Sequence, residues 1–291
     1  MTQPFTLLAV LAHPDDESFG MGGTLALYAS RGVAVHLVCA TRGEVGEVSP
    51  DRLQGYTSVG ELREAELRCA AGYLGLAGVH FLGYRDSGMA GSQDNHHPQA
   101  LAAQPVEAVA IQVMKYFREL RPQVVLTFDP IGGYHHPDHV AIHKATVLAF
   151  NDLYRRPAEA SLHNPGEAPV PDPYRPQKLY FHTMSRRFIR MMARLMSLVG
   201  KDPHHWGKNG DIDLTAMAVD DFPVHAVIDY RAVEERKVAA VACHASQGGM
   251  SLSMGRFRWL FRLLVSNRDH FMRAVPPPGK GRRESDLFTG I

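Results

Sequence analysis

Two clusters of histidine and aspartate carry the side chains best suited to chemistry, and a long stretch of chain separates them. The first cluster contains His13, Asp15 and Asp16, and the second contains His136, Asp138 and His139. Imidazole nitrogens and carboxylate oxygens are ligands of borderline divalent metals, and catalytic zinc sites use three protein ligands with one position open. One histidine and one aspartate from the first cluster and one histidine from the second would make such a site.

The side chains in the two clusters that do not bind the metal could act as the general base and as the oxyanion stabiliser or general acid of a hydrolytic reaction. Asp15 and Asp16 are adjacent and point in different directions along a tight turn, so one can bind metal while the other acts as general base. A metal lowers the pKa of a bound water from about 15.7 towards about 7. His136 and His139 can supply one ligand and one group that stabilises an oxyanion or protonates a leaving amine.

The elements that must position these clusters alternate between apolar strands and helical patterns. The predicted strands span residues 5–12, 33–41, 79–82 and 124–128, and the predicted helices span 22–30, 60–74, 106–120 and 137–154. Because the strands are nearly continuously apolar, we expect them to be buried on both faces. The pattern predicts an α/β, Rossmann-like three-layer fold with a mostly parallel sheet flanked by helices. Both clusters follow strands, where such folds collect polar chemistry.

The second half of the chain is predicted to complete this sheet. Residues 1–155 would form the Rossmann-like half with the metal site, and 156–291 a smaller C-terminal α/β portion that shapes the substrate pocket, together making one compact domain. The proline-rich segment 156–177 is predicted as a connection. Strands are expected at 178–183 and 224–229 and helices at 187–199 and 231–244. Residues 256–265 favour an amphipathic surface helix over a membrane or nucleic-acid contact.

Several other features favour structural roles. The glycines at 20–23 do not form a dinucleotide-binding loop, because the turn directly after the first strand holds His-Pro-Asp-Asp. His143 could share a helix face with His139, but a packing role is favoured. His244 either lines the pocket or sits favourably at the end of a helix.

The composition points to a soluble intracellular enzyme. The net charge of +1 gives no sign of a nucleic-acid or anionic membrane partner, and no apolar run approaches the length of a membrane span. The apolar stretch 5–12 is too short for a secretory signal. The three cysteines, Cys39, Cys69 and Cys243, form no framework, so we expect reduced, buried thiols and a cytoplasmic location.

The two clusters also resemble a known family. The runs 13–16 (His-Pro-Asp-Asp) and 136–139 (His-Pro-Asp-His) match the two hallmark motifs of the LmbE-like or PIG-L-type N-acetylglucosaminyl deacetylases. Further segments look like the branch that deacetylates N-acetylglucosaminyl-inositol in mycothiol synthesis. They are residues 43–47, Arg63 with Glu66, and residues 85–89, 132–134, 237–247 and 284–290.

The resemblance implies a role for each matching residue. His13, Asp16 and His139 would bind one metal per chain, usually Zn2+, with Fe2+ as the alternative. Asp15 would be the general base. The remaining assignments are His136 as general acid or oxyanion stabiliser, Asp138 as the residue that orients it, Tyr134 as a helper at the amide carbonyl, and Arg63, Asp86, Glu47 and Met89 as substrate-binding residues. His135 departs from the pattern, which has a small residue or proline there, and could alter the Tyr134 loop or compete for metal.

The predicted function is therefore metal-dependent removal of the N-acetyl group from an N-acetylglucosaminide of the glucosaminyl-inositol or glucosaminyl-malate type. Alternatives are a deacetylase of chitin-type oligosaccharides and an amidase of thiol conjugates. A ferrous-iron oxygenase also uses two histidines and one carboxylate, but the second acid beside the metal argues against it. A sugar-binding protein with a dead site is disfavoured by the intact cluster. The expected partner is a small amino sugar, and a homo-oligomer is compatible with the sequence.

Overall fold

The structure, a computed structural model, describes residues 5–155, 174–184, 186–198, 200–205, 213–219, 221–249, 267–279 and 281–291. The predicted helix at 256–265 and most of the predicted connection at 156–177 lie outside these residues. Within the described ranges, no helix combines the length and the apolar character needed to span a bilayer.

Seven strands form a single sheet at the centre of the fold. They are β1 (Thr6–Leu11), β2 (Ala34–Thr41), β3 (Gly78–Tyr84), β4 (Val124–Phe128), β5 (Lys178–Thr183), β6 (Ala226–Asp229) and β7 (Arg268–Val275). Their order across the sheet is β3-β2-β1-β4-β5-β7-β6. The first five strands run parallel, and β7 pairs antiparallel with both β5 and β6. The predicted α/β fold with a mostly parallel sheet is confirmed.

Helices flank the sheet. They are α1 (Asp16–Phe19), α2 (Gly22–Ser30), α3 (Val59–Leu74), α4 (Val106–Leu120), α5 (Gly132–His135), α6 (Pro137–Arg155), α7 (Arg186–Leu198), α8 (Leu214–Met217) and α9 (Glu234–Cys243). Helix α4 packs against α6, and α3 packs against α9. The predicted helix at 231–244 is divided into a 3-10 turn, Arg231–Val233, and α9. Helix α3 begins where Ser58 accepts the backbone N–H of Glu61.

The buried strands follow from their apolar sequences, with one exception. Residues Leu7 to Leu11 of β1 and all of β4 are buried. The prediction that the third strand is buried on both faces is wrong, because none of the residues of β3 is fully buried. The physical reason is position: β3 is the outer strand of the sheet and pairs with β2 alone among the named strands.

Strand β7 was not predicted from the sequence. Its residues include Arg268, Asp269, His270 and Arg273, which hide the apolar signal of a strand that lies between two others. The buried Asp269 carboxylate accepts the backbone N–H and the hydroxyl of Thr24, at 2.8 and 2.7 Å. Pairing inside the molecule, rather than an apolar sequence, therefore stabilises this strand.

The prediction of three reduced thiols is wrong for two of the cysteines. Cys69 in α3 and Cys243 at the end of α9 form a disulfide, with Cα atoms 5.9 Å apart and a sequence separation of 174. Cys39 is a buried free thiol, as expected. Sequence spacing could not reveal the pair, because the bond depends on the packing of two helices that are distant in the chain.

Candidate active site

The two clusters meet because their strands are neighbours. Strands β1 and β4 are parallel and adjacent, with Leu7 opposite Val124 and Ala9 opposite Leu126. Each strand leads at its carboxyl end into a loop and then a helix, so the loops lie side by side. Parallel sheets place ligand sites at this edge, and the sequence placed both clusters there.

Three donor atoms converge between the loops. His13 Nδ1 lies 3.2 Å from His139 Nε2 and 3.6 Å from Asp16 Oδ2. His139 Nε2 lies 3.3 Å from Asp16 Oδ1. Ligands about 2.0–2.2 Å from a tetrahedral metal are about 3.3–3.6 Å from one another. The two nitrogens are close to this spacing, and Asp16 approaches each of them with a different oxygen. The structure thus brings the three predicted metal ligands together.

The hydrogen bonds of the two imidazoles leave the converging nitrogens as acceptors. His139 Nδ1 lies 3.0 Å from the carbonyl oxygen of Gly132, which accepts its hydrogen. His13 Nε2 lies 3.0 Å from Asp138 Oδ2, which likewise accepts. When both rings are neutral, each has one N–H, so His13 Nδ1 and His139 Nε2 present lone pairs beside the Asp16 carboxylate. Such lone pairs repel one another unless a cation lies between them, and the set fits a divalent metal. Burial acts to lower the pKa of His13, but Asp86 and Asp138 outweigh it and raise that pKa, so without a metal a proton on His13 Nδ1 can be donated to His139 Nε2.

Asp138 contacts two histidines, with its carboxylate at His13 and its backbone N–H at His136. Its fully buried carboxylate accepts from His13 and from the backbone N–H and hydroxyl of Ser87. Only its backbone N–H, 3.2 Å from His136 Nδ1, contacts His136. Asp86 Oδ1 lies 3.5 Å from the same His13 nitrogen, and these two acids with His13 form another group of closely spaced donors. They lie at Nε2 of the His13 ring and fix its orientation, whereas the other closely spaced group consists of His13, His136 and His139.

His136 lies beside the predicted metal ligands. One of its ring nitrogens is within 4.8 Å of the donor atoms of His13 and His139. The backbone N–H of Asp138 can only donate, so Nδ1 of His136 accepts and Nε2 carries the hydrogen in the neutral ring. Burial and the neighbouring imidazoles of His13 and His139 hold the pKa of His136 far below its usual value. His136 is therefore a neutral hydrogen-bond donor.

Asp15 combines an unusual backbone with a perturbed carboxyl group. Its φ of 126° and ψ of −30° lie in a region that residues other than glycine rarely adopt. Burial, opposed by the positive charge of Arg63, raises the pKa of Asp15 to about 6. Burial also acts to raise the pKa of Asp16, but contacts with His139 and His13 outweigh it and keep that pKa low. The two neighbouring acids are thus differentiated, as a base and a ligand require.

Arg63 is more deeply buried than a predicted sugar contact suggests. Its guanidinium donates to the carbonyl oxygens of Gly43 and Pro14, at 3.0 and 2.8 Å, and to Asp15 Oδ2 at 3.1 Å. Gly43 has φ of 67°, and a Cβ there would lie 2.2 Å from the guanidinium. Arg63 therefore anchors two loops and Asp15. The other predicted substrate residues differ in exposure: Asp86 is buried, Met89 is half-buried and Glu47 is exposed.

The Tyr134 loop has an irregular backbone. Gly132, Gly133 and His135 all have positive φ, between 65° and 73°. The Tyr134 ring centroid lies 5.0 Å from that of His139. Its other neighbours are a small apolar cluster formed by Ile189, Met196, Leu214 and Met217 of α7 and α8. His135 is exposed and belongs to neither of the two groups of closely spaced donors that include His13 in the described chain.

His143 has a packing role, as the sequence favours. Its Nδ1–H donates to the carbonyl oxygen of Phe128 at 2.8 Å, and its ring packs edge-on against Phe181.

Sequence reasoning missed Glu17 and did not decide the role of His244. Both are fully buried, and His244 Nε2 lies 2.7 Å from Glu17 Oε1. The acid follows the first motif directly, but its partner is 227 residues away in the chain. A search for motifs within short segments could not connect them.

Comparison with known proteins finds a matching family and relatives that align with nearly the whole chain. Residues 8–150 match the PIG-L family, described as GlcNAc-PI de-N-acetylase. A relative from Thermomonospora curvata is 38% identical, over 98% of this chain and 96% of its own. A relative from Kineococcus radiotolerans is 36% identical, over 100% of this chain and 84% of its own. Both are named 1D-myo-inositol 2-acetamido-2-deoxy-alpha-D-glucopyranoside deacetylase.

Solved structures share the fold at lower sequence identity. The N,N'-diacetylchitobiose deacetylase of Pyrococcus horikoshii has a TM-score of 0.57 at 19% identity, over 92% of this chain and 83% of its own. The 4-carboxy-2-hydroxymuconate hydratase of Pseudomonas putida has a TM-score of 0.53 at 22% identity, over 95% of this chain and 99% of its own. Because a deacetylase and a hydratase both resemble this chain, the fold alone does not determine the reaction.

Proposed function

The chain belongs to the PIG-L family, the GlcNAc-PI de-N-acetylases, and we propose that it is a metal-dependent hydrolase that removes the acetyl group from an N-acetylglucosaminyl-inositol. The observation that carries the proposal is the convergence of three lone-pair donors, 3.2–3.6 Å apart, directly beside the perturbed carboxyl of Asp15. The names of the full-length relatives support the inositol glucosaminide as substrate.

His13, Asp16 and His139 would hold one metal ion, with zinc as the first expectation and ferrous iron as the alternative. When bound, such an ion polarises the amide carbonyl and makes water a stronger nucleophile. Two imidazoles and one carboxylate suit either metal, so the donor set does not choose between them.

The side chains around these ligands supply the proton transfers. Asp15, with a pKa of about 6, is ionised at neutral pH and takes a proton from the water that attacks the acetyl carbon. As the C–N bond breaks, Asp15 returns this proton to the leaving amine, and acetate and the free amino sugar are released. Arg63 keeps the carboxylate oriented through its contact with Oδ2.

His136 is better suited to stabilising the oxyanion than to acting as general acid. Its Nδ1 accepts from the Asp138 backbone, which leaves Nε2–H as the donor for the negative charge that develops on the carbonyl oxygen. Tyr134, near His139 and on a glycine-rich loop, would add a second donor at that oxygen.

The sugar and its aglycone would lie towards the residues that follow β2 and β3. Asp86 and Arg63 are buried at this side of the site, Met89 is half-buried, and Glu47 is exposed. We propose that Asp86 and Arg63 contact the glucosamine ring, and that Met89 and Glu47 contact groups further from the reacting amide.

A panel of acetamido sugars tests the proposal. Acetate release would be measured on metal-quantified enzyme with glucosaminides that differ only in the aglycone: inositol, malate, N-acetylglucosamine and a thiol conjugate. We expect kcat/KM to be highest for the inositol compound. A higher kcat/KM for another aglycone would identify a different substrate. No acetate release from any compound would refute the proposed deacetylase activity.

The base is tested by Asp15→Asn and Asp15→Ala. Asn keeps the size of the side chain and removes the proton acceptor, so we expect both variants to lower kcat by about 10²–10⁴-fold. Metal content should stay near that of the native enzyme, because the three ligands remain. The matched control is Glu284→Gln, a carboxylate that hydrogen-bonds Tyr180 and Arg273 away from the site. Equal turnover in the native enzyme and Asp15→Ala would exclude Asp15 as the base.

A further inference from the structure

The backbone conformation of Asp15 needs a cause within the fold. Non-glycine residues in sparsely populated regions persist only where their surroundings hold them there. Arg63 holds the Asp15 carboxylate and the carbonyl oxygen of the Pro14–Asp15 peptide, which leaves the N–H of that peptide to be held by another group. A separate interaction must therefore hold the backbone of Asp15.

Glu17 makes that interaction. Its Oε2 accepts the backbone N–H of Asp15 at 3.0 Å. Its Oε1 accepts the hydroxyl of Ser18 at 2.6 Å and Nε2–H of His244 at 2.7 Å. Both oxygens are thus engaged, and the side chain is fully buried. A buried carboxylate held from both ends is a rigid acceptor for the Asp15 peptide.

His244 carries this support to a distant part of the chain. It follows α9 directly and is fully buried. The turn that contains it is tied to α3, because Ser246 donates its backbone N–H and its hydroxyl to Glu66, at 2.7 and 2.6 Å. Helix α3 also carries Arg63, which contacts the Asp15 carboxylate. One helix pair therefore supports both the side chain and the backbone of Asp15.

We propose that the buried Glu17–His244 pair is a positioning device for Asp15, in which Glu17 holds the Asp15 peptide in its unusual conformation and His244 holds Glu17. The proposal rests on the proposed function, since it assigns to the pair the placement of the general base. Neither residue touches the reacting atoms, so the effect on the reaction passes through Asp15.

Glu17→Gln tests the first link. The amide has one acceptor oxygen, so it cannot serve Asp15 N–H on one side and both Ser18 and His244 on the other. We expect kcat to fall by about 10–100-fold, equivalent to about 1.4–2.7 kcal/mol of barrier. KM and metal affinity should change by less than about twofold, because no ligand is removed.

A double-mutant cycle separates positioning from a general structural effect. In the Asp15→Ala background, Glu17→Gln should cause no further loss of kcat, because the residue through which it acts is already gone. The same fold-loss in both backgrounds, or an unchanged kcat in the Glu17→Gln single variant, would overturn the proposal. Glu284→Gln should lower the melting temperature with native kcat, which controls for lost stability alone.

Two substitutions at His244 test the second link. Gln places an amide N–H near the position of Nε2, whereas Leu removes the donor. We expect His244→Gln to retain most of the kcat and His244→Leu to lose it as Glu17→Gln does. Equal kcat in the two variants would show that the hydrogen-bond donor of His244 does not help to position Glu17.

Amide exchange reads the Asp15 conformation without using catalysis. The Asp15 N–H should be protected from hydrogen exchange in the native protein and in Glu284→Gln, and should exchange about tenfold or more faster in Glu17→Gln. If the native protein releases no acetate from any compound while this protection pattern is observed, the proposed function fails and the conformational device stands. Full turnover in Asp15→Ala would instead exclude Asp15 as the base. Unchanged protection in Glu17→Gln would refute the device itself.

Discussion

The loops that follow β1 and β4 lie side by side at one edge of the sheet, yet their backbones are held in different ways. The first loop has its positive φ at Asp15, and hydrogen-bonded, buried partners from α3 and from the segment after α9 surround it. The second loop has its positive φ values at Gly132, Gly133 and His135. The buried Asp129 carboxylate accepts the Gly133 N–H at 2.8 Å, and the Tyr134 side chain packs on the apolar cluster of α7 and α8.

This difference indicates that Asp15 in the first loop can move less than Tyr134 in the second. Hydrogen bonds fix both the peptide and the carboxylate of Asp15, whereas the Tyr134 side chain rests on apolar contacts, which are not directional and allow it to adjust. A general base needs the first kind of support, because proton transfer depends on distance. A residue that must accommodate a substrate carbonyl benefits from the second. Substitutions in and around the two loops test this contrast.

The largest effect is expected where both loops meet at the metal ligands. His139→Ala removes one of three donors, so bound metal should fall from about one per chain to a trace, and turnover should fall to background. His143→Asn is the matched control, because Asn keeps a donor for the Phe128 carbonyl one turn further along α6. Metal analysis and acetate release measure both. Full metal content in His139→Ala would show that the ion is held elsewhere.

The next effect compares two glycines of the second loop. A Cβ at Gly132 would lie 2.5 Å from the Cβ of His139, whereas a Cβ at Gly133 meets nothing within 4 Å. Gly132→Ala should displace His139 and lower kcat by about 10²-fold. Gly133→Ala should mainly cost about 1–3 kcal/mol of stability, since φ of 73° with ψ of −58° is a sparsely populated region for a residue with a Cβ. Steady-state kinetics and urea unfolding distinguish them, and equal kinetics would show that His139 tolerates the shift.

Removal of the disulfide tests how firmly the two helices that support the first loop are held together. Cys69 and Cys243 join α3 to α9, and a closed loop of this length contributes up to about 5 kcal/mol in the chain-entropy description. Denatured, non-reduced protein should show one reactive thiol, Cys39, and reduced protein should show three. Cys69→Ala should lower the free energy of unfolding by several kcal/mol. Three thiols without reductant would mean that the bond is absent in solution.

The smallest effect is expected in α8, which contributes to the apolar cluster that packs against Tyr134 of the second loop. His204 Nδ1 lies 3.0 Å from Asp213, which also caps α8. The hydrogen bond to Asp213 raises the pKa of His204, and hydrogen bonds from Thr215 and then from His204 lower that of Asp213. The pair therefore stabilises α8 above the unfolded pKa of Asp213 and below that of His204, and its contribution is lost as pH rises through the folded pKa of His204.

Hydrogen exchange measures this change in α8. Protection of its amides, corrected for the intrinsic effect of pH, should fall slightly as His204 deprotonates, while amides of the first loop stay unchanged. His204→Gln should abolish the pH dependence. A parallel loss of protection in both loops would contradict their independence.

The sequence predicts most of the sheet and the principal site residues for physical reasons. Strands such as β4 are continuously apolar, and the two motifs follow β1 and β4, whose carboxyl ends meet in a parallel sheet. That placement was enough to predict that His13, Asp16 and His139 lie close together.

The remaining features depend on packing between segments far apart in the chain. The Cys69–Cys243 bond and the Glu17–His244 pair each join residues about two hundred positions apart. The role of Asp138 depends on which way one ring turns, and the burial of Arg63 depends on the path of the loop at Gly43. Strand β7 escaped prediction because buried polar partners replace the apolar signal.

The place of β7 in the sheet has a consequence for how the chain is made. Strand β6 precedes β7 in sequence, yet it reaches the sheet by pairing with β7, which lies between it and β5. During synthesis, β5 therefore keeps an unpaired edge until the segment with β7 leaves the ribosome, and β6 cannot join the sheet before then. An unpaired edge invites association with other chains, so ribosome-bound intermediates that end before residue 268 should be the ones that need chaperones most.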